Sequence, residues 1–282
     1  MKTKHKRSFD LLSGYDYYCP GTGGLFGLFG LLLAGACIGN LAVLLLQRFA
    51  GAQIAATYGT LIAYPIQFLP AMLYAAAKSN PFSGQDCVKV DEGRFSPIGF
   101  ARLAMMVVPV TWAAAIICEP SGLLLPEMPD FLKRMMESLT DGPLWVSILC
   151  TSIFAPFFEE WLCRGMILRG MLRKVHPAWA IIISAIFFAI IHFNPWQGIP
   201  AFALGCLFGL VYWKTGSLKL TILMHAVNNL TSVILSRIPK FENCEYLFQA
   251  IDNNVIFVMI YLLSVALTVL FCIKMLKTDF TK

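Results

Sequence analysis

The sequence predicts an all-α fold: a polytopic membrane helix bundle of about eight transmembrane helices. Three observations carry that prediction. Of 282 residues, 58% are hydrophobic and only 13% are charged, about half of the roughly 25% charge that a soluble domain needs. The apolar residues arrive in blocks, and about 20 such residues suffice to cross a bilayer. The basic residues are distributed unevenly between alternate connecting segments. Fifteen of the 22 lysines and arginines fall on one side and five on the other, with Arg102 and Arg164 inside spans. By the positive-inside rule, this bias places the N-terminus and the C-terminus in the cytoplasm.

Each element follows in order. A cytoplasmic N-terminal segment, 1–23, opens with Lys2, Lys4, Lys6 and Arg7 and continues in the polar run SFDLLSGYDYYCPGTGG. It therefore lacks the apolar core of a signal peptide. Transmembrane helices and loops occupy 24–142, with spans at 24–48, 54–77 and 97–118. The linker 119–143 is polar and rich in Pro and Gly, with a short surface helix expected at 131–139. Spans at 144–168, 177–193, 197–213 and 218–236 make up a core region, 143–240, in which only NPWQG (194–198) separates two short spans as a tight hairpin. A loop, a last span at 255–276 and a tail fill 241–282. Every span must be helical, because backbone groups in hydrocarbon have no water to bond. Gly205 and Gly209 form a G-x-x-x-G that is expected to pack within the bundle.

The remaining composition excludes several classes. The formal charge is +6, but no dense basic run follows the N-terminus, so no nucleic acid partner is expected. Nine cysteines include no C-x-x-C pair, which removes zinc knuckles and thioredoxin-like motifs. They read as small buried hydrophobes.

Ionisable residues inside spans cost about 2.5–3.5 kcal/mol each on insertion scales, and the second half of the chain collects them. FFEEWLCRG holds Glu159, Glu160 and Arg164; FFAIIHFN holds His192; LMHAVNNL holds His225, Asn228 and Asn229. Glu160 and Arg164 are four apart and can pair on one helix face. Glu159 is rotated about 100° from its neighbour and has no partner in its own helix. Such a carboxylate is placed to take a proton from water. His225 and Asn229 are also four apart and can present donors to an oxyanion, while His192 can help Glu159 hold the attacking water. Taken singly, these residues also fit plain interhelical hydrogen bonding and charge neutralisation.

The same residues resemble the CAAX protease and bacteriocin-processing (CPBP) family, also called Abi proteins. The family's E-E-x-x-x-R appears as Glu159-Glu160-Trp-Leu-Cys-Arg164, its F-x-x-x-H as Phe188-Ala-Ile-Ile-His192, and its H-x-x-x-N as His225-Ala-Val-Asn-Asn229. The stretch GCLFGLVYWKTGSLKLTILMHAVNN is similar too. The resemblance implies an intramembrane endopeptidase, CAAX-prenyl-protease-like, that hydrolyses a peptide bond in a membrane-embedded or lipidated substrate. It implies that Glu159 activates water with His192, that His225 and Asn229 stabilise the oxyanion, and that Glu160 and Arg164 support the site. Glu159, His192 and His225 also match the ligand set of a catalytic zinc site, and family members are described both as metalloproteases and as glutamic-type. No certain cofactor follows.

Other intramembrane chemistries find no motif here: H-E-x-x-H, a G-x-G-D within a span and G-x-S-G within a span are all absent. A non-catalytic immunity or scaffold protein, or a proton-coupled transporter, is the alternative. Transporters tend to have inverted repeats, whereas these residues fall only in the second half. The expected location is a bacterial plasma membrane. One geometric tension stands out. On straight helices His192 lies about 22 Å from the inner end of its span and His225 about 10 Å from the inner end of its own. Tilting, or a break at Pro156, would have to bring them together.

Overall fold

The computed structural model describes residues 12–82, 86–137, 142–242, 244, 247–251 and 253–282. The basic residues at positions 2–7, on which part of the predicted orientation rests, lie outside them. The described residues contain no strand, only an isolated bridge between Ser96 and Thr281. Among the described residues, seven helices are long and apolar enough to cross a membrane. They are α1 (Thr22–Ala50), α2 (Ala52–Lys78), α3 (Phe100–Leu124, 3-10 from Glu119 onward), α5 (Leu144–Met171), α7 (Pro195–Thr215), α8 (Leu218–Leu235) and α9 (Asn254–Lys277). Helix α6 (Pro177–Ile190) is the eighth predicted span. At 14 residues it reaches about 21 Å, short of the roughly 30 Å hydrocarbon core. The expected surface helix is α4 (Asp130–Glu137), with Leu132 buried and Phe131 exposed; the rest of its predicted extent is undescribed. The chain is an integral, multi-pass membrane protein.

Two helical hairpins flank α5. In the first, α1 and α2 approach closely because Gly39 presents no side chain: a Cβ there would stand 2.9 Å from the Ala63 carbonyl. In the second, α6 and α7 meet at Gly205 and Gly209, where a Cβ would lie 3.1 Å from Ala185 and 3.0 Å from Ile181. The G-x-x-x-G therefore packs internally. The hairpin turns at His192–Asn194, where Phe193 adopts a positive φ of 55°, a conformation that costs a bulky residue. Asn194 fixes the turn: its side chain accepts from Gln197 N and donates to the His192 carbonyl (2.9 Å). Helices α3, α7, α8 and α9 form a second apolar cluster around Leu103, Val107, Phe208, Leu220 and Phe271.

Helix α5 is the axis of the bundle. Its spanning window is 61% buried, against 11% for α9, whose Met259 and Leu263 face outward. It alternates in winding, π-helical at Ile148–Phe154 and Trp161–Leu168 and α-helical at Ala155–Glu160 between them. Pro156 supplies a reason. Ala155 N bonds the Cys150 carbonyl and Pro156 has no N–H, so the Thr151 carbonyl lacks a donor from its own helix. Asn229 of α8 fills that role, donating from Nδ2 at 2.7 Å. π-turns of this kind recur at functional sites.

The basic end of the bundle is closed by chain rather than left open. Arg169, 3% exposed, donates to the carbonyls of Val88 (2.5 Å), Tyr18 (2.7 Å) and Tyr15 (2.9 Å). It thereby ties the segment before α1 and the α2–α3 connection to the end of α5. Asp16 accepts from Val90 N, and Tyr212 donates to the Val90 carbonyl. Burial there pushes the Tyr18 phenol well above its usual range, with Tyr74 beside it adding to the rise. Asp91 accepts from Leu218 N and pairs with Lys219, holding the first turn of α8.

Candidate active site

The two glutamates of α5 have different surroundings, as their 100° separation requires. Glu160, 0% exposed, accepts from Arg164 Nη1 at 2.8 Å through Oε1. The guanidinium is also fully buried and donates to the Gly205 carbonyl at 3.1 Å. It lies 4.4 Å over the ring of Phe188 and 5.4 Å over that of Phe208, a favourable place for a cation. Glu160 Oε1 also meets His225 Nδ1 at 3.1 Å. With the carboxylate as acceptor, Nδ1 carries the proton and the ring is turned so that Nε2 faces Glu159.

Glu159 is 8% exposed. One oxygen, Oε1, accepts a hydrogen bond from the hydroxyl of Tyr64 on α2. The other, Oε2, is buried without a hydrogen-bond partner and stands 3.9 Å from His225 Nε2. The His225 ring is 4% exposed and is flanked by Phe188 and Phe208, with ring centroids at 5.4 and 6.1 Å.

Four of the expected residues thus meet: Glu159, Glu160, Arg164 and His225. His192 is placed differently. The predicted span runs to 193, but α6 ends at Ile190, so His192 lies in the turn. Its Nδ1 donates to the Phe188 carbonyl at 2.7 Å, which leaves Nε2 as the acceptor. No hydrogen bond joins His192 to Glu159 or His225. Its ring instead sits edge-on to Phe188 at 5.2 Å, on the ring that also meets His225. The depth difference expected between the two histidines is therefore filled by an aromatic side chain. Asn229 spends its amide on Thr151 and accepts from Asn228 Nδ2 at 3.1 Å.

Tyr64 is the residue that sequence reasoning missed. A hydroxyl halfway along an apolar span, followed at once by Pro65, was the available signal, because a buried phenol seeks a partner. Nothing local names that partner, which lies 95 residues away.

As zinc ligands the donors do not converge. Only Glu159 Oε2 and His225 Nε2 point toward one place; His192 is turned onto Phe188, and Glu159 Oε1 is occupied by Tyr64. Among the described residues, no three His, Cys, Asp or Glu side chains gather as a metal site.

Residues 141–231 match the Rce1-like family model, described as type II CAAX prenyl endopeptidase. The resemblance read from the three motifs is borne out over this segment, which holds α5 to α8 almost entire and all six expected site residues. Tyr64 lies outside it. No curated protein and no solved structure matches the chain.

Proposed function

We propose that the chain is an intramembrane endopeptidase of the Rce1-like kind, hydrolysing a peptide bond in a membrane-embedded or lipidated substrate with water activated by Glu159. The observation that carries this reading is the inequality of the two carboxylates. Each keeps one buried oxygen unpartnered, but Glu160 is neutralised by Arg164, whereas Glu159 has no cation of its own and its unpartnered oxygen is aimed at a histidine. In a poorly solvated place an uncompensated charge is costly. Glu159, Glu160 and Arg164 together carry one net negative charge. One proton shared with His225 makes the set neutral.

The proposed steps keep that count. Water gives a proton to Glu159 Oε2 as its oxygen attacks the scissile carbonyl. The developing oxyanion receives Nε2–H of protonated His225, whose Nδ1–H is anchored on Glu160. Glu159 then returns the proton to the leaving amine, and the cluster regains its starting charge. Asn229 supports the oxyanion side by holding α5 against α8. His192, with Nε2 as acceptor, accepts a hydrogen bond from the incoming water at the mouth of the site. The catalytic core is the region 143–240, with the site-bearing residues on α5, α8 and the α6–α7 turn. Both termini face the cytoplasm of, we propose, a bacterial cell.

The test compares wild type with Glu159→Gln, purified in detergent. Two probes are used: a membrane peptide library read by mass spectrometry, and a quenched fluorescent peptide carrying an S-farnesyl cysteine fourth from its C-terminus. New C-termini made by wild type and lost in the variant are expected. Equal cleavage by both proteins would remove Glu159 from the chemistry. Cleavage of the library but not of the farnesyl peptide would keep the peptidase and discard the prenyl substrate.

A further inference from the structure

We infer that Tyr64 of α2 is a positioning residue for the reaction, fixing which oxygen of Glu159 takes the proton from water. The inference rests on the reading of Glu159 as the base, and it extends the site beyond the matched segment into the N-terminal half. Its ground is geometric. Tyr64 lies about 21 Å along α2 from Lys78, and Glu159 about 18 Å along α5 from Met171. Both are therefore near the middle of the hydrocarbon. The ring cannot swing freely: it packs against Phe68 and Phe158, with centroids at 5.5 and 6.4 Å, and those two rings stack on each other at 5.2 Å. The hydroxyl is thereby aimed at Glu159 Oε1.

The consequence is asymmetry in a group that is otherwise symmetric. A free carboxylate offers two equivalent oxygens and rotates between them. With Oε1 engaged by a donor, the lone pairs that remain unpartnered are on Oε2, beside His225 Nε2. The proton leaves water for Oε2, the O–H bond of water breaks as the O–H bond of Glu159 forms, and the same proton passes from Oε2 to the leaving nitrogen. Without Tyr64 the carboxylate loses the bond that holds Oε1 toward α2, and nothing else keeps Oε2 turned toward the substrate. A phenol suits this task, since it donates without adding charge to a cluster that is neutral only with one shared proton.

The test uses the full chain with Tyr64→Phe, Glu159→Gln and, as a control, Tyr58→Phe, whose ring packs on Trp145 away from the carboxylates. On the S-farnesyl peptide, or on the library peptide that wild type cleaves, Tyr64→Phe should lower kcat about 10- to 100-fold. That is the worth of one hydrogen bond to a charged group, and KM should stay within about twofold because ground-state binding is untouched. A second arm needs no substrate. The infrared carboxylate stretches of Glu159, identified by their loss in Glu159→Gln, should shift in Tyr64→Phe as Oε1 loses its donor. Wild-type kcat in Tyr64→Phe, with Glu159→Gln inactive, would overturn this inference alone, and so would an unmoved infrared band. Undiminished cleavage by Glu159→Gln would bring down the reading of the site and this inference with it.

Discussion

The buried pair Glu160–Arg164 gives the sharpest test of how the site is held. Both side chains are 0% exposed, and the bond is 2.8 Å long. At an effective dielectric constant of about 20, attraction at that distance is about 6 kcal/mol, most of it offset by the cost of taking both charges out of water. Removing one partner leaves that cost standing. Arg164→Met should therefore destabilise the fold by about 3–5 kcal/mol, and roughly 6–20 °C in the unfolding midpoint for a chain of this size. The double variant Glu160→Gln/Arg164→Met removes both charges and should recover most of the loss. The nine cysteines are free; Cys37 and Cys87 are exposed and label in the folded state, whereas Cys150 and Cys163 are buried, so the rise of a thiol-reactive fluorophore above that baseline reports unfolding in detergent. A double variant as unstable as the sum of its two singles would refute the claim that the pair, rather than separate packing, supports the site.

Two further predictions test the scaffold. Arg169→Gln should speed hydrogen exchange at Val88 and Val90, whose amides bond Asp16. Glu92 and Arg94 should stay protected, since theirs bond the carbonyls of Gly216 and Thr215; uniform exchange across 86–96 would refute the role given to Arg169. In α1, Gly39→Ala should destabilise by about 1–3 kcal/mol through overpacking against α2, because the Ala63 backbone stands in the way. Gly27→Ala, with open space around it, should gain from helix propensity instead. Matching melting shifts in the same fluorophore assay would sink the close-approach argument.

The bundle was legible because hydrocarbon leaves the backbone no choice but helix, and because hydropathy marks the spans. The glutamate pair and His225 were legible for a related reason: a charge in a span must find company, and spacing of one and four residues says which face it shares. What escaped was long-range. Tyr64 reads as an ordinary aromatic until α2 is docked against α5. Arg169 reads as a loop charge at the end of a span, yet the fold buries it under three carbonyls from two other segments. The first π-helical stretch of α5, at Ile148–Phe154, is completed by a donor from α8, and no window of α5 alone contains Asn229. The end of α6 at Ile190 depends on the turn that Asn194 locks, which hydropathy does not register because the apolar run continues to Phe193.

The place of His192 follows from the same packing. Phe188 lies between it and His225, and Arg164 presses its guanidinium on the face of that ring at 4.4 Å. The pair that neutralises Glu160 thus also fixes the spacer between the two histidines. On the proposed mechanism this separates two duties that a closely packed triad would mix. His225, anchored on Glu160 within the bundle, meets negative charge as it develops. His192, held by a backbone carbonyl at the hairpin tip, meets neutral water on the way in. A variant that frees Phe188, such as Arg164→Met, should therefore disturb the water side of the site as well as its stability. Its loss of cleavage should exceed that of Glu160→Gln, which keeps a hydrogen-bonding partner for His225 and leaves the guanidinium on the ring.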